Sequence, residues 1–432
     1  MLFRSLAARL PAMSVKALEL QRGGTEGAAP GGHLFIIQDK ELQTPFYRTI
    51  FDEAGRIRSL IDRESGTEFV KSGCAFNEFI SAEDVPIFWE AWDIDADWEL
   101  KHAAETGPAA AEVVSVGELF VQLRRRYAIG ERSKLTQDVY FYADSRRIDF
   151  DTKVEWHEER RLLKTAFPAN VTTDRVRCEV QYGHLWRNTH ENRPEDQAQF
   201  EFAAQKWIAV EEHGRGLALL TDCKYGYDVK GSAMRLTLLR SPKAPDPQAD
   251  MGDHRFTYAI LPFEGAFSVE SVVREAYDLN HPATVFHCNT TGADRGVDPV
   301  AGSRSSGPRG SEASLLRLDT AQVIIEALKT PERAPGDEGN TGSPGNSGSA
   351  DEARGDMILR LYEAGGGTVN CTLSAAYPLE SVHETNMLER NPRPLPLEET
   401  RGSVKLHFRP FEIKTLRLKP RTAGDERPAV SD

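Results

Sequence analysis

The chain has 432 residues, 40% of them hydrophobic and 28% charged, with a formal net charge of −13. This composition fits a globular class with a sizeable core, and no stretch approaches the ~20 uninterrupted apolar residues that a membrane-spanning helix needs. A surface this acidic repels a phosphate backbone. We therefore expect neither a nucleic-acid partner nor a membrane partner.

The cysteines and the N-terminus bear on the compartment. The five cysteines are odd in number, far apart and without a CxxC pair, which argues against a disulfide framework and a structural zinc site. Together with the acidic charge, they favour a cytoplasmic location. The opening MLFRSLAARLPAM contains Arg4 and Arg9 but no acid, so a mitochondrial presequence stays open beside an internal start or a frayed strand. A vacuolar location also stays open.

Alternation of apolar and polar residues dominates the chain, which is the pattern of strands with one buried face. Sustained helical periodicity is scarce, and turn signals are frequent, so antiparallel sandwich architecture is indicated. In chain order, the clearest predicted elements are strands at Leu135–Tyr142, Ile148–Trp156 and Val176–Tyr182, a helix at Val269–Tyr277, and strands at Val369–Leu373 and Val404–Phe408.

We predict an all-β fold, with a large antiparallel β-sandwich (a supersandwich) followed by a smaller C-terminal β-sandwich. Two segments, 292–311 and 335–349, interrupt the pattern because small and polar residues dominate them, and such segments bury too little apolar surface to offset their ordering entropy. The predicted domains are 1–33 as a strand or linker, 34–290 as the large sandwich, 291–313 as a flexible loop, 314–420 as the small sandwich with a disordered insertion at 331–355, and 421–432 as a disordered tail.

The run of residues 86–98 combines aromatic side chains with alternating carboxylates. A calcium-binding loop is excluded, because neither the sixth nor the twelfth residue from Asp93 is the Gly or Glu that such a loop requires. As a strand, the run would place its carboxylates on one face and Trp92 and Trp98 on the other. The residues alone favour a solvated face beside packed tryptophans, since Trp is usually buried. The alternative is a sugar-contacting edge of Trp89, Trp92 and Asp93, in which indoles stack on sugar rings and carboxylates accept hydroxyl hydrogen bonds.

A second run, Gln181–Pro194, is dense in polar side chains directly after a predicted strand. Loops at strand ends commonly carry function, because a rigid scaffold positions them. Arg187, His190 and Asn192 are the candidate contacts here. His184 and His190 have no third ligand at a suitable spacing, so a hydrogen-bonded connection is favoured over a metal site.

Common catalytic motifs are absent from the sequence. It has no GxxxxGK[ST], GxGxxG, HExxH or GxSxG, and none of its eleven histidines is followed two residues later by Asp. Cys223 has no neighbouring base in the sequence, so we predict a buried, inert thiol rather than a nucleophile. We assign no catalytic residue and no metal-binding residue.

Eight runs of sequence carry a resemblance to a known family. They are FWEAWDID, GHLWRNTHEN, FEFAAQKWIAVEE, LLTDCKYGYDVKGSAMRLTLLRSP, DMGDHRFTYAILP, LRLYEAGG, ETNMLER and FRPFEIKTLRL. Together they resemble the C-terminal half of glycoside hydrolase family 38, most closely its cytosolic and vacuolar branch of α-mannosidases. The resemblance covers about residues 45–290 and 314–418, and the long block from Leu220 to Pro242 is its most specific part.

The resemblance implies where the chemistry of the family resides. In that family an α/β barrel and a helical bundle precede the β region, and residues 1–45 resemble the joining strand. The barrel holds zinc through His and Asp, including a His-x-Asp pair, and supplies the carboxylate nucleophile of a configuration-retaining reaction. Because this chain has no His-x-Asp pair, no cofactor is expected in it. Gln205 and Phe263 stand where the family usually has His, and residues 193–196 replace a segment with Trp.

Three functions follow from the resemblance. The first is a structural and carbohydrate-binding C-terminal region of a retaining α-mannosidase, inactive alone, with an α-mannoside oligosaccharide as its ligand. The second is a stand-alone binding module, or one that complements a separately encoded catalytic domain. The third is a fragment that folds poorly and exposes an apolar surface. In the family the β region borders the active-site cleft, so the predicted rim contacts are Trp89, Trp92, Asp93, Arg187, His190 and Asn192.

Overall fold

The chain folds into two compact units in a computed structural model, which describes residues 14–15, 34–104, 111–285, 313–332, 355–398 and 402–421. The larger unit contains residues 34–283, and the smaller unit contains residues 14–15 and the described residues from 284 onward. The following predictions fall wholly or largely outside the described residues: the boundary at 290 and the segments 1–33, 291–313, 331–355 and 421–432.

Strands account for most of the regular structure. The strands up to residue 264 are β1 (Ser14–Val15), β2 (Ile36–Gln38), β3 (Glu41–Gln43), β4 (Tyr47–Phe51), β5 (Ile57–Asp62), β6 (Glu78–Glu83), β7 (His102–Ala104), β8 (Glu112–Val116), β9 (Phe120–Ile129), β10 (Ser133–Tyr142), β11 (Ile148–Trp156), β12 (Arg161–Pro168), β13 (Arg175–Val180), β14 (Gly183–Asn188), β15 (Phe202–Ala203), β16 (Trp207–Glu212), β17 (Arg215–Thr221), β18 (Gly226–Lys230), β19 (Ala233–Arg240) and β20 (Gly252–Glu264). The later strands are β21 (Ala313–Ser314), β22 (Leu316–Leu318), β23 (Val323–Lys329), β24 (Met357–Glu363), β25 (Val369–Ala375), β26 (Leu379–Thr385), β27 (Arg393–Leu395), β28 (Ser403–Phe408) and β29 (Ile413–Pro420). The helical segments are a 3-10 helix at Ala96–Leu100, α1 (Pro194–Ala198), a π-helical turn at Val269–Val273 and α2 (Arg274–Asn280).

The larger unit is built from antiparallel sheets. Within the described residues, their strand orders are β14-β13-β16-β17-β20-β11-β10-β9-β8, β15-β18-β19-β12-β6-β7 and β2-β3-β4-β5. The pairs that join neighbouring strands, such as β10 with β11 and β12 with β19, are antiparallel. The predicted all-β class with a large antiparallel sandwich is confirmed.

The core of the larger unit lies between its two long sheets. In β11, Phe150 and Val154 are buried while Lys153 is exposed, as the alternation predicts. The ring of Phe150 lies 5.8 Å, centroid to centroid, from Phe167 of β12 in the facing sheet. Phe167 also meets Tyr258 of β20 at 6.0 Å. Burying each large side chain of this kind contributes about 1.5–3 kcal/mol, which holds the two sheets face to face.

Of two further predicted elements, the structure confirms one and shortens the other. The helix predicted at Val269–Tyr277 is confirmed, and the side chain of Ser268 caps it by accepting the backbone N–H of Ser271 at 3.1 Å. The strand predicted to reach Tyr182 ends at Val180 instead. Tyr182 has a φ of 63° because the chain reverses there into β14.

The smaller unit is a second antiparallel sandwich. Its sheets have the orders β22-β25-β28 and β23-β24-β29-β26-β27, beside the β1-β21 pair, among the residues described. Cys371 of β25 and Leu406 of β28 share one core with Leu359 of β24 and Leu416 of β29, so both sheets contribute to it. The smaller C-terminal sandwich is therefore confirmed. None of the described helical segments has the length and apolar character of a membrane span.

Candidate functional site

An exposed aromatic loop, residues 85–95, connects β6 to the 3-10 helix. The exposed fractions of its large apolar side chains are 79% for Ile87, 71% for Phe88, 73% for Trp89 and 72% for Trp92. The rings of Trp89 and Trp92 meet edge to face, with centroids 6.4 Å apart. Neighbouring large apolar side chains in solvent mark an interaction site more often than they serve folding.

The structure does not fit the interpretation of residues 86–98 as a strand. The backbone turns at Trp89, whose φ is 59°, and the carbonyl of Trp89 accepts the backbone N–H groups of Trp92 and Asp93 at 2.7 and 2.9 Å. The chain then enters the 3-10 helix at Ala96–Leu100. The alternating carboxylates have the sequence pattern of a strand, but the hydrogen bonds of the turn at Trp89 determine the backbone conformation.

Two arginines hold the aromatic loop in place. The guanidinium of Arg240 in β19 donates to both carboxylate oxygens of Asp84, at 2.7 and 3.1 Å. It also donates to the backbone carbonyls of Glu90 at 3.2 Å and Asp93 at 2.5 Å. Arg160 donates to the carboxylate of Glu90 at 2.9 Å. The loop is therefore fixed before any ligand arrives, which lowers the entropic cost of binding.

Trp98, in the 3-10 helix that follows the aromatic loop, packs against the sheet. It is the buried tryptophan of this run, and it packs in a small apolar cluster with Leu162 of β12. The ammonium of Lys164 lies 4.5 Å from the centroid of the Trp98 ring, and the guanidinium of Arg235 lies 5.2 Å from it. The expectation of packed tryptophans thus fits Trp98 but not Trp89 or Trp92.

A buried charge cluster surrounds Trp98. Lys164 of β12 is fully buried, and its Nζ donates to Asp228 Oδ2 at 2.6 Å and to the carboxylate of Glu201. Arg235 lies with Nε 3.0 Å from Asp228 Oδ1 and with Nη1 3.0 Å from Glu99 Oε1. These ion pairs join β12, β18, β19 and the 3-10 helix. A buried cluster of this kind is costly to disturb, because removing one partner leaves an uncompensated charge.

Glu201 gives this cluster a pH dependence. Burial raises the pKa of Glu201 to about 7, and the Asp228 carboxylate adds to that rise, against the opposing effect of the Lys164 ammonium. Between an unfolded value near 4.5 and about 7, the folded state binds a proton that the unfolded state releases. Stability from this group is therefore lost as pH rises through that window.

Glu201→Gln should remove the fall in folding stability between pH 4.5 and pH 7. We expect the variant to match the parent near pH 4.5 and to exceed its free energy of unfolding by about 1–3 kcal/mol at pH 8. Urea unfolding followed by tryptophan fluorescence at several pH values measures the difference. Glu155→Gln, an exposed change on β11, is the control and should give a flat difference. A flat difference for Glu201→Gln would contradict the prediction.

The polar loop, residues 189–193, is organised around Asp196 of α1. Arg193 Nε lies 3.1 Å and His190 Nδ1 lies 3.4 Å from Asp196 Oδ2, and Asn188 donates to Oδ1 at 2.8 Å. The hydrogen bonds from Arg193 and Asn188 hold the pKa of Asp196 at about 2. His190 therefore faces a carboxylate that stays charged at neutral pH.

The other two predicted contacts in this region differ in exposure. Asn192 is exposed, and its backbone N–H lies 3.5 Å from His190 Nδ1. Arg187 is half-buried in β14, so its predicted place in a loop is wrong. Its guanidinium lies 5.2 Å from the ring of Phe202. Arg187 is better suited to packing than to ligand contact.

Lys230 links the polar loop to the 3-10 helix that follows the aromatic loop. Its Nζ lies 2.5 Å from Glu99 Oε2 in the 3-10 helix and 2.9 Å from Glu191 Oε1 in the polar loop. The 3-10 helix and the polar loop thus meet at the end of β18. The sequence offered no sign of this link, because its partners lie 131 and 39 positions away along the chain.

The described part of the chain offers no set of side chains suited to a zinc ion. Among the described residues, no group of three or more His, Cys, Asp or Glu side chains is arranged to hold a metal ion. His184 Nε2 lies 2.6 Å from Arg177 Nη1, next to a cation rather than a metal ligand set. Glu201 and Asp228 form a pair of neighbouring carboxyl groups, but the buried ammonium of Lys164 occupies the space between them.

A cleft of about 630 Å³ lies beside the β16–β17 turn, and none of the six predicted rim contacts lines it. It is lined in part by Arg175, Trp186 and His213. The ring of Trp186 already contacts two guanidinium groups, with Arg175 4.3 Å and Arg177 4.2 Å from its centroid. Trp186 is therefore a poorer stacking platform than Trp89 or Trp92.

The prediction for Cys223 is wrong in one respect. Its side chain is exposed rather than buried. Partial desolvation, together with the neighbouring Asp222 carboxylate, raises the pKa of Cys223 to about 12. The thiol is therefore protonated and a weak nucleophile in spite of its exposure.

Two successive antiparallel sandwiches define the class of the protein, and comparisons with known proteins define its family. The model "Glycosyl hydrolases family 38 C-terminal domain" matches residues 42–248. The model "Glycosyl hydrolases family 38 C-terminal beta sandwich domain" matches residues 322–416. The chain belongs to glycosyl hydrolase family 38 and carries its C-terminal region, as the sequence runs indicated.

Curated relatives extend over most of this chain. Alpha-mannosidase 2C1 of Homo sapiens is 34% identical over 397 residues, which cover 90% of this chain and 35% of that protein. Alpha-mannosidase G of Dictyostelium discoideum is 31% identical over 390 residues, covering 87% of this chain and 32% of that protein. The chain thus spans about a third of the length of the curated relatives it matches. An alpha-mannosidase structure from Enterococcus faecalis V583 shares the fold, with a TM-score of 0.65 and 15% identity over 89% of this chain and 43% of that one.

Proposed function

We propose that this chain is the C-terminal β region of a retaining α-mannosidase, in which it contacts an α-mannoside oligosaccharide. The observation that carries the proposal is the aromatic loop, where Trp89 and Trp92 are exposed although the loop is held firmly by Arg240. Exposed indole faces suit the C–H surfaces of sugars, and the neighbouring Asp93 carboxylate suits their hydroxyl groups. The relatives' name, alpha-mannosidase, supports the choice of mannosides.

Hydrolysis in this proposal depends on the family's zinc-bearing catalytic domain, either in a longer protein or separately encoded. A retaining glycosidase needs two carboxyl groups about 5 Å apart on either side of the scissile bond. The pair Glu201 and Asp228 encloses a lysine instead. The purified chain should therefore leave an aryl α-mannoside intact, with or without added zinc. Zinc-dependent turnover by this chain would contradict the proposal.

Trp92→Ala tests the sugar contact. We expect it to weaken binding of an α-linked mannose oligosaccharide about tenfold or more, because truncating a central Trp commonly costs about 2 kcal/mol of binding free energy. Isothermal titration calorimetry on the 432-residue chain measures the change. Trp92→Phe keeps an aromatic face and should retain most of the affinity. Absence of heat from the parent chain at millimolar sugar would remove the sugar contact.

Ile87 and Phe88 favour a second function. Their exposed side chains have no polar group for a sugar hydroxyl, so they suit a protein partner, such as a separately encoded catalytic domain. In that case Ile87→Ser with Phe88→Ser would abolish co-purification with the catalytic segment of a family 38 relative. Sugar binding that falls with Trp92→Ala while co-purification is unaffected would favour the first function.

We also propose a cytoplasmic location for the chain. The acidic charge supports it, and so do the described cysteines, which are free: Cys74, Cys178, Cys223 and Cys371. Imaging of the tagged full chain tests the location, and a mitochondrial or vacuolar signal would overturn it.

A further inference from the structure

The connecting segment, residues 189–203, leads from β14 towards β16 and comprises the polar loop, α1 and β15. The structure describes all of these residues, and Thr189 is the only one among them that is buried. Phe200 and Phe202 are partly buried, and the ring of Phe202 stacks on Tyr227 of β18 with 6.2 Å between the centroids. Because the segment buries so little apolar surface, its polar contacts with the sheet decide how often it opens.

Glu201 anchors the end of the connecting segment next to β15. Its carboxylate forms an ion pair with the ammonium of Lys164, which is fully buried in β12. The side chain of Glu201 is 16% exposed, whereas Glu191, which pairs with Lys230 near the start of the segment, is 44% exposed. The anchor at Glu201 is therefore the one that takes its charge out of water.

The ion pairs that surround Glu201 contain a surplus carboxylate. The cations are Lys164, Lys230 and Arg235, and the carboxylates are Glu99, Glu191, Glu201 and Asp228. Three cations thus face four carboxylates, and the cluster is neutral only when one carboxyl group holds a proton. Asp228 and Glu99 each contact two cations, and Glu191 is exposed to water. Glu201 shares its single cation with Asp228, so Glu201 is the group that takes up the proton.

We propose that Glu201 is a proton-controlled latch: its protonated carboxyl group keeps the connecting segment on the sheet, and its ionisation favours local release of the segment. Ionisation in the closed state leaves a buried negative charge without a cation of its own, and release carries that charge into water. The segment carries His190 and Asn192, so release displaces both of these predicted rim contacts. The latch is independent of the proposed sugar contact of the aromatic loop, because no group of that loop takes part in it.

The charged groups that act on Glu201 belong to three strands. Lys164 of β12 attracts the ionised carboxylate, Asp228 of β18 repels it, and Arg235 of β19 attracts it more weakly. Glu99 of the 3-10 helix pairs with Arg235 at 3.0 Å and so weakens that last attraction. Burial and the Asp228 carboxylate together outweigh the two cations, which raises the pKa of Glu201 to about 7.

His190 is a second titratable group in the connecting segment, since histidine side chains change charge between about pH 5 and pH 8. Its Nδ1 lies 3.4 Å from Asp196 Oδ2, so its partner belongs to the same segment. Loss of the His190 charge would weaken a contact within the segment and leave the ion pair with Lys164 in place. Separate substitutions of Glu201 and His190 therefore distinguish the two effects.

Amide hydrogen exchange of the 432-residue chain at pH 6 and pH 8, divided by the intrinsic rate at each pH, tests the latch. The reporters are the amides of β15 and of Ala204, whose N–H donates to the carbonyl of Tyr225 at 3.1 Å. With a pKa of about 7 in the closed state and 4.5 in the open state, opening should become about tenfold more frequent between these pH values. The rise should appear in exchange that does not depend on urea, because local release exposes little surface. Absence of the rise in the parent chain, or a rise confined to urea-dependent exchange, would overturn the latch.

Three variants assign the rise to its group. Glu201→Gln should abolish it, because glutamine has no proton to lose in this pH range. His190→Gln should keep the rise, and so should Glu195→Gln, a matched change of an exposed carboxylate in α1. A rise that persists in Glu201→Gln would overturn the latch. Loss of the rise in His190→Gln would assign the pH dependence to the histidine and would overturn the latch as well.

Discussion

Lys164→Met should lower the free energy of unfolding of the larger unit by about 3–5 kcal/mol, the usual cost of removing one partner from a buried ion pair. The ammonium of Lys164 is fully buried and compensates both Glu201 and Asp228. Methionine fills the space, but it leaves Asp228 with Arg235 alone and forces Glu201 to take up a proton. The cation 4.5 Å from the ring of Trp98 is lost as well.

Tryptophan fluorescence during urea unfolding measures the stability of the larger unit, which contains Lys164. All six tryptophans of the sequence lie between residues 89 and 207, inside the larger unit. Lys153→Met, an exposed change on β11, is the matched control and should stay within about 0.5 kcal/mol. A triple variant with Lys164→Met, Glu201→Gln and Asp228→Asn should recover part of the loss, because it leaves fewer buried charges unpaired. A Lys164→Met chain as stable as the parent would refute the assigned role.

The fold was predictable because strand periodicity is local. Alternation in Ile148–Trp156 and in Val404–Phe408 places every second side chain on one face, and the structure buries those faces. The short helix after Ser268 was equally visible in its spacing. Sandwich architecture then follows, since sheets with one apolar face must cover it with another sheet.

The candidate site was only partly predictable, because distant residues set its geometry. The sequence singles out Trp89 and Trp92, and the structure exposes both, but the backbone around them turns where the alternating carboxylates suggest a strand. The guanidinium that fixes this loop belongs to Arg240, 150 positions after Glu90. Lys164 stands in an apolar run where its position gives no clue to partners 37 and 64 positions away. Pairing across such distances is a property of the folded sheets and not of any local pattern.

Glu363→Gln should destabilise the smaller unit by about 2–4 kcal/mol. The Glu363 carboxylate is fully buried and accepts backbone N–H groups from Gly365 at 2.8 Å, Gly366 at 2.8 Å, Gly367 at 3.2 Å and Phe411 at 3.0 Å. It thus joins the turn after β24 to the turn before β29. An amide offers one oxygen to these donors and turns its own N–H₂ group towards the rest, which leaves buried donors without acceptors.

The hydrogen bonds to Glu363 depend on the shape of the turn after β24 as well as on the carboxylate. Gly366 has a φ of 79°, and a Cβ there would lie 2.8 Å from the ring of Phe411. The turn is therefore tightly packed, and its N–H groups cannot shift to suit a different side chain at position 363. Hydrogen exchange of peptides from β24 and β25 reports the stability of this unit, and Glu363→Gln should raise their exchange rates strongly. Glu380→Gln breaks a surface pair with Lys419 in the same unit and should cost at most about 1 kcal/mol. Equal exchange in the two variants would mean that the four N–H groups find other acceptors, and the carboxylate would then be dispensable to the fold.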